Sequence, residues 1–315
     1  AALPGGDVLA SVSTYVEPTR FVRWAGARGA ATPTALAVTS PISFADCTVT
    51  RAVATSKDGT RVPYTVIARR GTQLDGRNPT LLYGYGGYGI SMTPTFLGAM
   101  RRVWLEAGGV YVIANLRGGG EYGDGWHRDG MLEHKQNVFD DFTAVADALV
   151  ARGFTSHARL AVMGGSNGGL LMGATLTQHP ALARAVVSAV GLYDMVRSEQ
   201  DPNGAFNVTE YGSVTDPAQL RAIYAYSPYH HVVPGTAYPA VLMLTGANDG
   251  RVNPLQSRKF AAALQAAQGA ADRPILLRTS QTSGHGIGSS VDDRIAEQTD
   301  QLMFLFDQLG VAPAR

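Results

Sequence analysis

From Cys47 onward the chain alternates short apolar runs with longer stretches whose apolar residues recur at helical spacing. The short runs read as buried strands and the longer stretches as helices packed on them. Cys47–Ala54 and Arg61–Ala68 flank Ser56-Lys57-Asp58-Gly59-Thr60, where Asp-Gly suits a tight hairpin turn. Strands are then predicted at Thr80–Tyr83, Val110–Ala114, Leu160–Met163, Ala185–Ala189, Ala240–Leu244 and Ile275–Arg278. Helices are predicted at Thr95–Ala107, at Val138–Ala151, directly after Ser166, at Pro254–Gln268 and at Val291–Leu309. A long irregular insertion, Leu192 to Tyr238, carries one helix near Pro217–Tyr224. Repeated strand–helix units predict a mostly parallel sheet with helices on both faces, and the hairpin adds an antiparallel edge.

The first forty residues follow another pattern. Val8–Val16 and Thr19–Trp24 read as two strands split at Glu17-Pro18, followed by a loose stretch rich in Ala, Thr, Gly and Pro from Ala25 to Pro41. Two strands cannot bury a core alone.

Composition narrows the function classes. The chain has 315 residues, 45% of them hydrophobic and 16% charged, which suits a globular protein with a substantial core. A formal net charge of +1, without a basic run interleaved with aromatics, gives no reason to expect nucleic acid. No window is apolar for long enough to suggest a transmembrane helix. The single cysteine, Cys47, cannot form an intrachain disulfide and leaves the compartment open.

The chemistry centres on Gly164-Gly165-Ser166-Asn167-Gly168-Gly169, set between the apolar run Leu160–Met163 and a helix-forming run. Strand, tight glycine turn and helix is the setting in which G-x-S-x-G forms a nucleophile elbow and exposes the serine hydroxyl. A serine at neutral pH needs a base, and the base needs an orienting group. In this arrangement the chain order is Ser, then an acid, then His, each after a strand. Asp249, after the Ala240–Leu244 strand, and His285, between Gly284 and Gly286 after the Ile275–Arg278 strand, fit that order.

An oxyanion needs two donors. One is the backbone N–H of Asn167. The other is expected from Gly84-Tyr85-Gly86-Gly87-Tyr88-Gly89, after an earlier strand. That loop also satisfies G-x-G-x-x-G. Its helix waits until after Pro94, however, and tyrosines occupy two phosphate-facing positions, so a dinucleotide is not expected. His230 and His231 read as structural or surface residues. His127, His134, His157 and His179 have no ligand spacing, so neither a metal nor a cofactor is implied.

Four motifs now carry a resemblance: Leu82-Tyr83-Gly84-Tyr85-Gly86-Gly87-Tyr88, Asn115-Leu116-Arg117-Gly118-Gly119-Gly120-Glu121-Tyr122-Gly123, the Ser166 hexapeptide, and Ser283-Gly284-His285-Gly286. Together the chain resembles the prolyl oligopeptidase family of serine peptidases from about Lys57 to Leu309. The resemblance implies an α/β-hydrolase domain over 46–315, with residues 1–45 as the last strands and linker of a truncated β-propeller. It implies Ser166 as nucleophile, Asp249 and His285 as its partners, and the Tyr85 hydroxyl with the Asn167 N–H as oxyanion donors. Arg251 matches the arginine that binds a substrate carbonyl, and Tyr88, Tyr211 and Val252 match the P1 pocket. The implied reaction is cleavage of short peptides after proline, without a cofactor, beneath a propeller partner.

One departure leaves that specificity open. Where the family carries a proline-stacking tryptophan, this chain reads Phe206-Asn207-Val208-Thr209-Glu210. Phe206 and Asn207 stand at the pocket instead, and Glu210 suggests basic P1 residues as an alternative, or simply a solvated carboxylate. An esterase or acylaminoacyl peptidase on the same residues, and an inactive interaction domain, are the other readings.

Overall fold

The computed structural model describes residues 1–3, 5–26, 29–286 and 288–312. Three short N-terminal strands, β1 (Val8–Val12), β2 (Arg20–Trp24) and β3 (Ala31–Ala37), form an antiparallel sheet in that order. None of their residues is buried. The sheet lies against the rest of the chain through flanking residues: Tyr15 and Phe44 are both buried in the main core.

The third strand falls in the stretch read from sequence as irregular. Its Ala and Thr residues give no apolar alternation. It is held by main-chain pairing to β2 and by the Thr34 hydroxyl donating to the Phe21 carbonyl. The first strand also ends earlier than expected, because Thr14 Oγ1 accepts from the N–H groups of Val16 and Glu17 and turns the chain.

The main sheet begins with the predicted hairpin, β4 (Cys47–Thr55) and β5 (Arg61–Arg69), paired antiparallel over its full length. Then follow β6 (Thr80–Tyr83), α1 (Ala99–Glu106), β7 (Val110–Ala114), the short α2 (Asp124–Arg128) and α3 (Gln136–Ala151). The elbow region contributes β8 (Leu160–Gly165) and α4 (Asn167–Gln178), and β9 (Ala185–Ala189) follows. The insertion holds α5 (Val208–Tyr211) and α6 (Pro217–Tyr226), and the chain closes with β10 (Ala240–Gly246), α7 (Leu255–Ala267), β11 (Ile275–Ser280) and α8 (Val291–Leu309). α1 starts four residues later than predicted, since Leu97 N–H is engaged by the Tyr15 carbonyl and the chain before it stays extended.

The eight strands lie in the order β11-β10-β9-β8-β6-β7-β5-β4, parallel from β11 to β7 and antiparallel at β5 and β4. Side-chain alternation splits the core in two. Leu160 and Val162 of β8 face one cluster with α3, α4 and α7, while Ala161 and Met163 face the other with α1 and α8. The order also reverses direction at β6. The chain goes from β6 to β7 on one side and then returns to place β8 on the other. Loops leaving the carboxyl ends of β6 and β8 therefore diverge around a crevice, which is where open parallel sheets bind ligands.

Candidate active site

Ser166 stands at that crevice, at the entry to α4, with φ 59° and ψ −118°. A left-handed conformation of this kind costs a non-glycine residue roughly 1–3 kcal/mol and needs support. Support comes from β9, whose Ala189 carbonyl accepts the Ser166 N–H at 2.8 Å. The glycines of the turn answer a space requirement. A Cβ on Gly164 would meet the Gly168 carbonyl oxygen at 2.3 Å, and one on Gly168 would meet the Gly84 carbonyl oxygen at 2.7 Å.

Two further loops converge on the serine. His285 Nε2 lies 2.9 Å from Ser166 Oγ, and His285 Nδ1 lies 2.8 Å from Asp249 Oδ2. The other carboxylate oxygen of Asp249 accepts the N–H groups of Arg251 and Val252, both at 2.9 Å. Burial works to raise the Asp249 carboxyl, but His285 and these two N–H groups more than offset it and hold it below the usual carboxylate range. An ionised Asp249 can only accept, so Nδ1 carries the proton and Nε2 is free to take one from the serine. The three residues singled out from their chain order are thus brought into one hydrogen-bonded line.

Tyr85 shares the wall of the same cleft as Ser166, its hydroxyl near the serine side chain. Burial raises the Tyr85 phenol above its ordinary value, so it remains a donor. Asn167 is the first residue of α4, where a backbone N–H has no acceptor within the helix. Its side chain has a part that was not legible in the chain. The amide donates to the Tyr85 carbonyl and accepts the Tyr211 hydroxyl at 2.9 Å.

A cleft of about 360 Å³ opens beside Ser166. Tyr85, Tyr88, Phe206, Asn207, Arg251 and Val252 are among the residues in its wall. Tyr88 stacks on Phe206 with centroids 6.1 Å apart and planes 14° apart, and its hydroxyl donates to Asn207 Oδ1 at 2.6 Å. Phe206 is 65% exposed, so its outer face is open to a ligand. Tyr211 stands behind the wall rather than in it, buried and edge-on to Tyr88 at 5.8 Å. A larger groove, about 700 Å³, runs along α3 past Lys57 and His179 and holds none of these residues.

Glu210 requires a correction. It is neither solvated nor turned toward the cleft. It is 2% exposed, accepts Lys135 Nζ at 2.9 Å and contacts His127 Nε2 at 2.8 Å. Lys135 is itself buried, which pushes its ammonium below the ordinary value while Glu210 pulls the other way. With its charge neutralised inside the protein, Glu210 has nothing to offer a basic P1 side chain.

Comparison with known proteins bears on this geometry. The family model described as "Prolyl oligopeptidase family" matches residues 96–312. A prolyl endopeptidase of Elizabethkingia miricola is 42% identical over 258 residues, covering 82% of this chain and 36% of the relative. A solved structure from a study of two prolyl endopeptidases superposes with a TM-score of 0.92 at 42% identity, over 98% of this chain and 47% of that one. A post-proline cleaving enzyme from Rickettsia typhi gives 0.89 at 32% identity, over 97% and 43%. The chain therefore spans little more than a third of the curated relative and under half of these solved chains.

Proposed function

The chain belongs to the prolyl oligopeptidase family, and on that premise we propose that it hydrolyses short peptides on the carboxyl side of proline through an acyl-enzyme on Ser166. The observation that carries this reading is the line Asp249–His285–Ser166, with contacts of 2.8 and 2.9 Å, opening on a cleft walled by aromatic rings. His285 Nε2 takes the hydroxyl proton as Ser166 Oγ attacks the scissile carbonyl. The resulting oxyanion faces the Tyr85 hydroxyl and the Asn167 N–H, donors of a kind worth roughly 2.7–4 kcal/mol each. His285 then protonates the departing amine, the C–N bond breaks, and water repeats the sequence to release the acid. Arg251, exposed at the rim of the cleft, reaches for a substrate carbonyl.

The P1 wall supports a flat, compact side chain. The Tyr88–Phe206 stack supplies an aromatic surface near the position where the family carries tryptophan, and Asn207 holds it through the Tyr88 hydroxyl. Pyrrolidine suits such a surface, with alanine as the second choice. The domain division is read at residue 45, between the small sheet and the start of β4. β1–β3 are read as part of a β-propeller whose remaining strands cover the cleft in the whole protein.

The test is fluorophosphonate labelling of wild type and Ser166→Ala, with turnover of blocked Gly-Pro, Ala and Arg anilides and an aryl ester. Labelling confined to wild type and fastest turnover of the Gly-Pro anilide are expected. Turnover of the ester alone would replace this reading with an esterase. A folded, unlabelled wild type would replace it with an interaction domain.

A further inference from the structure

The pair Lys135–Glu210 is out of place if judged only by stability. Both side chains are about 1–2% exposed, so each ion has lost nearly all its water. Buried pairs of this kind recover their desolvation cost only with good geometry, and apolar replacements are often at least as stable. Lys135 also sits where a cation is disfavoured, at the amino end of α3, whose dipole is positive there. What the arrangement does provide is position.

Lys135 Nζ donates to two acceptors, Glu210 Oε1 at 2.9 Å and the Gly86 carbonyl at 3.0 Å. The neighbouring carbonyl, that of Tyr85, accepts the Asn167 side chain. Asn167 accepts the hydroxyl of Tyr211, which follows Glu210 directly in α5. The circuit closes. Two successive carbonyls of the loop after β6 are gripped, one by Lys135 just before α3 and one from α4, and α5 ties the two grips together.

We propose that Lys135 and Glu210 are positioning residues that hold the Tyr85 hydroxyl in reach of Ser166, by fixing the Gly86 carbonyl of its loop from behind. The proposal rests on the reading of Tyr85 as an oxyanion donor. Neither residue touches the substrate. The loop is rich in glycine and would otherwise have freedom to move its carbonyls, and the hydroxyl with them.

The experiment removes both charges together, since Lys135→Met alone would strand a buried carboxylate. The Lys135→Met/Glu210→Gln variant, Tyr85→Phe and the triple variant are compared in the 315-residue chain by the rate of fluorophosphonate labelling at Ser166. Tyr85→Phe and the double variant are each expected to slow labelling by about 10²-fold, the effect of one lost donor. The triple variant is expected to be no slower than Tyr85→Phe by more than about twofold, because residues acting through one group are not additive. Full additivity of the two losses, or an unchanged rate in the double variant, would overturn the proposal.

A crystal structure of the double variant gives a readout that needs no activity. The Tyr85 hydroxyl should have moved away from Ser166, and finding it in its wild-type place beside the serine would be decisive against us. If the double variant does not fold, Lys135→Gln/Glu210→Gln, which also removes both charges but keeps groups able to hydrogen-bond, carries the same two measurements, with a smaller loss expected. An unlabelled wild type would instead count against the catalytic reading, which separates the two failures.

Discussion

The two sides of Ser166 are built on opposite plans. On one side, His285 lies in a glycine-flanked loop beyond β11, its side chain 10% exposed and, among the described residues, hydrogen-bonded to Ser166 and Asp249. On the other, the loop after β6 is gripped by Lys135 and Asn167, and Tyr211 and Glu210 brace those grips. The difference matches the two tasks. A base must change its protonation state and its partner during the reaction. An oxyanion donor stabilises charge in proportion to how little it must move when the charge appears. One side is built for exchange and the other for stillness.

That contrast breaks most visibly at Asp249. Asp249→Asn keeps the shape but turns His285 to the wrong tautomer, and turnover should fall by about 10⁴-fold, measured as kcat with a Gly-Pro anilide. A loss under tenfold would mean that His285 is oriented by something else. Next comes Tyr85→Phe, which removes one donor and nothing from the proton-transfer side. A fall in kcat of about 10²–10³-fold with KM little changed is expected. If KM rose and kcat held, Tyr85 would be binding ground-state substrate instead.

Smaller effects sharpen the comparison at the pocket. Phe206→Ala takes away the exposed half of the Tyr88 stack, worth about 0.5–1.5 kcal/mol beyond its buried area. Preference for Pro over Ala at P1 should narrow by about tenfold or less, read from the ratio of kcat/KM for the two anilides. The smallest expected effect is in acid. The Asp249 carboxyl is depressed in the folded state, so it contributes stability above its unfolded value, near 3.8. That contribution disappears as pH falls through the lower folded value. Asp249→Asn should therefore flatten the loss of thermal stability as the pH falls below about 4, and identical slopes for the two proteins would argue against a depressed carboxyl.

Much of this was legible in the chain because parallel strands buried on both faces read as uninterrupted apolar runs. β7 and β9 have the predicted bounds, and so does α8, whose end is marked by Gly310 in a left-handed cap. Ser166, Asp249 and His285 were legible because their order and strand-end positions are fixed by topology. What remained hidden depended on distance. Glu210 and Lys135 are 75 residues apart, and nothing near either one says that the fold will bury them against each other. Tyr211 looked like a pocket residue. The family resemblance placed it there, and Phe206 and Asn207 shortly before it do line the cleft, while its own hydroxyl is spent behind them on Asn167. β3 was invisible because Ala and Thr write no amphipathic pattern, and its pairing with β2 is carried by the main chain.

One consequence belongs to time rather than energy. Cys47, at the start of β4, is the chain's single thiol, and burial followed by the nearby Asp46 carboxylate pushes it up to about 11. At pH 8 the thiol is therefore almost wholly protonated, and the residue is only 6% exposed. A thiol reagent added in a brief pulse would find the folded chain nearly mute and the opened strand responsive. The protein thus carries a clock for the separation of β4 from β5, placed four strands along the sheet from β8, which leads into Ser166.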